Sequence, residues 1–328
     1  MIPSARPRVR SAALVIGILV QTAPLVAQSA DSLALRLAAM TAVTGYEDAM
    51  ADSILAALPG SRADRAGNVV WRRGTGDPVR VAVCPLDEVG YVVGAVNAEG
   101  YLTLRRVGAS AMGPLFDQYL EGQRVTVWGR RGPVPGVVGV RSTHLQRGRA
   151  AGADDPFTLD NAFVDVGAAT AAEVASLGVE LLDPVARAKR PLAYGEGLLA
   201  APFAVQRSAC AALLAAVRRL PDGGGTAVAV FARRRHFAHD GAGFALLEAA
   251  RGAPAERVVF VGGAAAPDSL GLGVVVAARD SLLVASTMQP VTAWNLPARY
   301  PRSPVETVSR RDVAALTDRL ALFLGGAR

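Results

Sequence analysis

Cysteine is scarce in this 328-residue chain, which contains two cysteines, Cys84 and Cys210. Two cysteines cannot form the multi-disulfide framework of a small secreted domain or a cysteine-ligated zinc site. We interpret them first as two buried thiols. A single disulfide between them is the alternative, which an oxidising compartment would favour.

Lysine is almost absent, because Lys189 stands alone against 34 arginines, a bias typical of a GC-rich genome. The formal net charge is +7, and it falls to +4 when three arginines near the N-terminus are left out, since 32 basic residues then face 28 acidic ones. The basic residues do not form the aromatic-interleaved patch that nucleic-acid binding requires, so we expect no nucleic-acid partner. Hydrophobic residues make up 51% and charged residues 19% of the chain, which excludes a disordered protein.

The N-terminus has the pattern of a secretory signal peptide. Three arginines within the first ten residues precede an apolar run from Ser11 to Val20, and mostly small residues continue to Ala27. We therefore expect residues 1–27 to be a signal peptide cleaved near Ala27, and the mature protein to be periplasmic or extracellular. The run is too short to cross a bilayer, so we expect no membrane span in the mature chain. An uncleaved anchor is the alternative, and the lack of a cysteine after the run excludes a lipoprotein.

The rest of the chain alternates between two kinds of segment. Helical and buried-strand patterns over 31–90 and 190–328 indicate an α/β domain. Between them, 91–189 contains short strands and glycine-rich turns, which is typical of a small inserted β-barrel. The predicted fold is a discontinuous α/β/α sandwich with an inserted β domain. Its main predicted elements are strands Val69–Arg72, Val79–Cys84, Thr226–Ala232 and Arg257–Val261, and helices Gln206–Leu220 and Arg310–Leu324.

Six motifs in chain order carry a family resemblance. They are Thr44-Gly45-Tyr46-Glu47-Asp48, Gly67-Asn68, Leu86-Asp87-Glu88-Val89-Gly90, Asp165-Val166-Gly167-Ala168, Arg207 at the start of a helix, and Arg299-Tyr300-Pro301-Arg302-Ser303-Pro304-Val305-Glu306. Together they resemble the dimetal aminopeptidases of metallopeptidase family forty-two, which include glutamyl and tetrahedral aminopeptidases and proteins once labelled endoglucanase M. The resemblance implies a zinc-peptidase-like sandwich, two zinc or cobalt ions, a glutamate as general base, and an insert that mediates dimer contacts.

The positions that carry the family's chemistry hold different residues in this chain. The resemblance places the metal ligands at Pro85, Val205, Arg235, Gly262 and Arg302, and the general base at Arg234. Two divalent cations need anionic or imidazole ligands, and none of these side chains supplies one. We therefore expect no metal cofactor.

Asp87 is the acidic residue that remains at this site. In the family it orients a ligand histidine, which is absent here, so we expect Asp87 to form a salt bridge with an arginine of the cleft. The arginines left over would form an anion pocket of Arg234, Arg235 and Arg302, suited to sulfate or to a peptide C-terminus. The alternative is that these arginines fill the space of the lost metals.

Histidine offers little support for a new metal site. His236 and His239 follow a run of three arginines, with Asp240 as the nearby acidic residue. We expect both to be loop or surface histidines, and His144 to be structural.

Three functions remain open. The leading hypothesis is an exported member of the aminopeptidase family that is catalytically inactive and acts in binding, scaffolding or regulation. The second is an active metal-dependent aminopeptidase with relocated ligands. The third is a structural partner that assembles with itself or with an active relative through the inserted β domain.

Overall fold

The structure is a computed structural model that describes residues 29–108, 112, 115–140, 157–220, 224–237, 240–249, 257–265, 274–277 and 291–326. The predicted signal peptide, His144 and His239 lie outside these residues. Within them the helices are α1 (Ala30–Ala38), α2 (Asp48–Ala57), α3 (Ala171–Leu177), α4 (Ala204–Arg218), α5 (Asp240–Ala249) and α6 (Arg310–Gly325), and a short 3₁₀ helix spans Gln118–Leu120.

The strands fall into two sheets and a barrel. A seven-stranded sheet contains β1 (Arg62–Ala63), β2 (Val69–Arg73), β3 (Val79–Pro85), β12 (Thr226–Ala232), β13 (Arg257–Ala265), β14 (Val275–Ala277) and β15 (Val291–Pro297). The barrel contains β4 (Gly90–Val96), β5 (Leu102–Val107), β6 (Arg124–Gly129), β7 (Gly132–Val140), β8 (Ala162–Asp165) and β9 (Pro184–Arg187). A small antiparallel sheet contains β10 (Leu192–Tyr194), β11 (Leu198–Ala200) and β16 (Thr307–Ser309).

The seven-stranded sheet has the order β1-β2-β12-β3-β13-β15-β14. Its central strands β12, β3, β13 and β15 are parallel, while β2 and β14 run antiparallel to their central neighbours. The carboxyl ends of the parallel strands therefore meet at one edge, which is where α/β proteins commonly place a site.

Helices cover both faces of this sheet. Helices α1, α2, α4 and α6 pack on one face, and their apolar side chains share one core with alternate residues of the strands, such as Ala82 and Phe231. Helix α5 packs on the other face against Val81, Val228 and Phe260. The alternation of buried side chains to the two faces follows from the two-residue repeat of a strand. It explains why β12 is buried along its whole length.

The inserted domain is a closed barrel in the order β4-β5-β8-β7-β6-β9. It has its own core, which includes Tyr91, Leu104, Val127 and Val164. Strand β9, which the sequence did not indicate, closes the barrel by pairing with both β4 and β6. The predicted combination of an α/β sandwich with an inserted β-barrel is confirmed.

Cys84 and Cys210 form a disulfide, so the preferred expectation of two free thiols is wrong. Helix α4 packs over β3 and brings the two Cα atoms to 5.4 Å, within the usual range for a disulfide. Both residues are buried. The bond therefore joins the central strand to the central helix in the middle of the core.

Candidate functional site

The ends of β3, β12 and β13 bring three of the sequence-predicted residues together. Pro85 ends β3, and a Cβ atom placed on Gly262 would lie 3.2 Å from its Cδ. The Arg235 guanidinium, three residues beyond β12, lies 3.5 Å from the Gly262 carbonyl oxygen. These residues therefore lie together at one edge of the sheet, at the predicted cleft.

A buried carboxylate links the other two predicted positions. Glu306 Oε1 accepts a hydrogen bond from the Val205 N–H, and Oε2 accepts one from the Arg302 N–H, both at 2.9 Å. Burial raises the pKa of Glu306, although the two N–H donors and the charges of Arg302 and Arg235 oppose the rise. Glu306 thus occupies the point where the start of α4 meets the loop before β16, a role that the sequence did not reveal.

Gln206 of α4 is hydrogen-bonded to the backbone at the end of β3. Its side-chain amide donates to the Pro85 carbonyl oxygen at 3.0 Å and also to that of Asp87. The side chain is buried. A neutral amide therefore ties α4 to the end of β3, beside Pro85, which the resemblance assigns to a metal ligand. This role for Gln206 was not predicted from the sequence. The one sequence feature that pointed to it was its position directly before Arg207, a residue of the family motifs.

The predicted salt bridge from Asp87 to an arginine is wrong. The fully buried Asp87 accepts hydrogen bonds on Oδ2 from the Thr44 hydroxyl at 2.7 Å and from the His236 N–H at 3.0 Å. Within the described part of the chain, Oδ1 has no hydrogen-bond partner. A hydroxyl and a backbone amide therefore take the place of the expected cation. His236 lies in a turn, as expected for a loop histidine, but it is buried, with 8% exposure, and does not lie at the surface.

The three consecutive arginines point to different surroundings. Arg233 pairs with Glu47 at 3.1 Å and with Asp48 at 2.7 Å. The Arg234 guanidinium lies 3.4 Å from the Ala66 carbonyl oxygen, whereas Arg235 reaches the cleft and lies over the Phe260 ring. The contacts of Arg235 with Gly262 and Phe260 therefore place it against β13.

Several non-glycine residues around the cleft have left-handed backbone conformations. The φ angles are 58° at Phe203, 57° at Arg234, 52° at Tyr300 and 63° at Arg302. Such conformations cost about 1–3 kcal/mol each and persist where the surroundings enforce them. Two of them are enforced by buried carboxylates, because Glu306 binds the Arg302 N–H and Glu47 binds the Arg234 N–H.

Among the described residues, the side chains at the positions that the resemblance assigns to metal ligands do not fit two metal ions. At the positions that correspond to ligands, Pro85, Val205 and Gly262 have no donor atom in their side chains, and the remaining two are arginines. Nowhere in the described residues do three or more histidine, cysteine, aspartate or glutamate side chains form a group that could hold a metal ion. We therefore derive no chemical step through a metal. The described carboxylates near this edge bind a hydroxyl, backbone N–H groups or an arginine.

A buried ion cluster lies next to the cleft, where the chain passes from the α/β domain into the barrel. Glu88 Oε2 lies 2.7 Å from Lys189 Nζ and 2.6 Å from Arg207 Nη2, and all three side chains are at most 5% exposed. Burial alone would raise the pKa of Glu88, but the two cations outweigh it and hold this pKa below its usual value. Burial also lowers the pKa of Lys189, which shares its carboxylate with Arg207. Because Glu88 faces two cations, we take it as the charged centre of the cluster.

No helix in the described ranges is long and apolar enough to cross a membrane.

Known proteins share this architecture. The structure matches an aminopeptidase from the archaeon Desulfurococcus kamchatkensis with a TM-score of 0.78 and 19% identity, over 91% of this chain and 95% of the other. It matches the TET1 peptidase of Pyrococcus horikoshii, which assembles into a tetrahedron or an octahedral shell, with a TM-score of 0.76 and 20% identity over 90% and 99% of the two chains. At these identities the likeness establishes the fold.

Sequence comparison gives the family. The chain is 31% identical over 180 residues to the putative aminopeptidase SgcX of Escherichia coli K12, a match that covers 53% of this chain and 46% of the relative. The chain spans about half the length of the curated relatives it matches. The M42 glutamyl aminopeptidase family matches residues 67–248, more than half of the chain. The chain therefore belongs to the M42 glutamyl aminopeptidase family.

Proposed function

We propose that this protein is an exported, non-catalytic member of its family that binds a ligand or a partner instead of hydrolysing peptides. One observation carries the proposal: the side chains at the five positions that the resemblance assigns to metal ligands, Pro85, Val205, Arg235, Gly262 and Arg302, offer no carboxylate or imidazole. The fold is that of an aminopeptidase, but the side chains at these five positions are not those of a site for two metal ions.

Electrostatics oppose a relocated metal pair at this edge. The resemblance implies a glutamate ligand at the position of Arg235, so this replacement alone changes the local charge from −1 to +1. At an effective dielectric constant of about 20, each unit charge about 4 Å from a cation contributes roughly 4 kcal/mol. Glu306 offsets part of the arginine charge, but its oxygens already accept two backbone N–H groups. An active site with relocated ligands is therefore the weaker candidate.

The disulfide supports the export part of the proposal. A buried Cys84–Cys210 bond fits an oxidising compartment, since the cytosol keeps most thiols reduced. The signal-peptide pattern of residues 1–27 points to the same compartment. Both features favour a protein that folds and acts outside the cytosol.

We further propose that the barrel mediates self-association or association with an active relative. Related TET peptidases form oligomers. The barrel of this chain exposes Leu115, Tyr119 and Val137, each at least 39% exposed, and exposed apolar side chains favour association. Light scattering would give the oligomeric state, and co-purification from the native source would identify an active relative in the assembly.

The test of the non-catalytic role is hydrolysis. We expect the purified protein to cleave no member of a panel of aminoacyl anilides, with or without added zinc or cobalt. A family member with an intact ligand set, prepared in the same way, serves as the positive control. Activity that a chelator removes, in protein made without active relatives, would overturn the proposal.

A further inference from the structure

A cavity of about 330 Å³ lies where the α/β domain meets the barrel. Val43, Tyr46 and Asp48 line it from the α/β domain, and Trp128, Arg130 and Asp183 line it from the barrel. It shares no lining residue with the degenerate cleft. Its volume is at the lower end of the range for small-ligand pockets, which are common at domain junctions.

Two aromatic rings face this cavity from opposite domains. Tyr46 is 41% exposed and Trp128 is 40% exposed. The Tyr46 hydroxyl donates to the Leu182 carbonyl oxygen at 2.8 Å, which fixes the tyrosine against the barrel. Leu182 has a left-handed φ of 70°, so the chain turns sharply just before Asp183. The cavity thus has aromatic walls and a carboxylate held on a turn.

The positive and negative charges around the cavity do not balance. Asp48 is paired with Arg233 at 2.7 Å, and Arg130 is paired with Glu180 at 2.9 Å. Asp183 Oδ2 accepts the Glu180 N–H at 2.7 Å, and no cation of the described chain lies within salt-bridge distance of its carboxylate. Because Arg233 also pairs with Glu47, negative charge exceeds positive charge around the cavity, although the chain has a formal charge of +7.

We propose that this cavity binds an organic cation at the end of an apolar stem, such as the guanidinium of an arginine side chain or the ammonium of a lysine side chain. Asp183 would pair with the cation, and the Trp128 and Tyr46 rings would supply cation–π contacts. Val43 and Pro184 supply an apolar surface for the stem. The proposal deepens the binding role proposed above by naming its ligand class.

Paired probes that differ by one charge test this site. Calorimetric titration of the full chain compares Nα-acetyl-arginine amide with Nα-acetyl-citrulline amide, which has nearly the same shape without the charge. A second arm compares a tetrapeptide that contains arginine with its citrulline counterpart, and so separates a free small cation from a peptide. We expect the arginine probes to bind at least tenfold more tightly than the citrulline probes. Equal binding of each pair, or no binding of any probe, would overturn the proposal.

Variants locate the site. Asp183→Asn keeps an oxygen for the Glu180 N–H and removes the charge, so the preference for arginine should fall to near unity. Trp128→Leu should lower the affinity for the arginine probe about fivefold, because it removes one cation–π contact. Asp160→Asn removes an exposed charge elsewhere on the barrel. It is the matched control and should leave the affinities for both probes unchanged. An arginine preference that survives in Asp183→Asn would contradict the assignment. Since no arm measures hydrolysis or metal, failure here would leave the non-catalytic assignment standing.

Discussion

The Glu88 carboxylate lies 2.7 Å from the ammonium of Lys189, the single lysine of the chain. Glu88 precedes the first barrel strand, β4, and Lys189 follows the last, β9. This ion pair therefore joins the two segments that connect the α/β domain to the barrel. Arg207 of α4 binds the same carboxylate at 2.6 Å, and Lys189 also lies 5.4 Å from the centre of the Phe203 ring. The cluster therefore fastens the barrel to the α/β domain beside the cleft.

Removing the carboxylate should destabilise the protein more than removing the lysine. Glu88→Gln leaves Lys189 and Arg207 buried without a counter-charge, and loss of one partner of a buried pair costs about 3–5 kcal/mol. Lys189→Met leaves Glu88 paired with Arg207, so its cost should be smaller. Denaturant unfolding measures both, with the exposed Glu99→Gln as control. Equal stability of Glu88→Gln and the native chain would show that the cluster contributes nothing.

Two buried glutamates should give opposite pH dependences. Burial raises the pKa of Glu306 above its ordinary value of 4.5, so the folded state holds a proton that the unfolded state has released. Its contribution to stability is thus fully present below 4.5 and is lost as the pH rises through the folded pKa. The pKa of Glu88 is lowered, so its contribution is present above 4.5 and is lost as the pH falls through its folded pKa.

The comparison of variants with the native chain measures these two dependences. Relative to Glu306→Gln, the native chain should lose unfolding free energy as the pH rises from 4.5. Relative to Glu88→Gln, it should lose unfolding free energy as the pH falls below 4.5. Denaturant midpoints at several pH values give both curves. The same sign of dependence for the two residues would contradict our account of their surroundings.

Reduction of the disulfide should lower stability without unfolding the protein. Cys84 and Cys210 are 126 residues apart, and a disulfide of this kind contributes about 2–4 kcal/mol, mainly by restricting the unfolded chain. The double variant Cys84→Ala with Cys210→Ala should show the same loss and no further response to reductant. A melt of the native protein that is unaffected by strong reductant would contradict this expectation.

The sequence predicted the central elements well where burial and periodicity agree. The strand at Thr226–Ala232 has the predicted bounds, and the final helix, Arg310–Gly325, extends one residue beyond its predicted end. Strand β9, four residues long, and the three-stranded sheet were missed, because such short segments carry little periodic signal. The central strands and helices could thus be predicted from the periodic spacing of apolar residues along the chain.

The details of the cleft depended on contacts between distant residues. The sequence identified the residues that meet there, but Asp87 proved to bind Thr44, 43 residues away, instead of an arginine. Gln206 likewise binds Pro85, 121 residues away, and Glu306 binds Val205, 101 residues away, as well as its near neighbour Arg302. The choice between thiols and a disulfide was open for the same reason, since it was decided by the packing of α4 on β3.

Removal of metal should leave the thermal stability unchanged. The sheet has an apolar core on both faces, and we expect a core of this size to hold the fold together without an ion. A ligand present at 100 times its Kd would add about 2.7 kcal/mol, which would shift the melting temperature by several degrees in a protein of this size. Melts with and without a strong chelator should coincide. A large drop on chelation would reveal a structural or catalytic metal.

The most direct test of the non-catalytic account is the metal content of the intact, untagged protein. After incubation with zinc or cobalt and dialysis, elemental analysis should give far less than one ion per chain, because the five positions that the resemblance assigns to metal ligands hold no carboxylate or imidazole. A family member with its ligands intact provides the reference value in the same experiment. One or two firmly bound ions per chain would contradict the account and would favour a working metallopeptidase with relocated ligands.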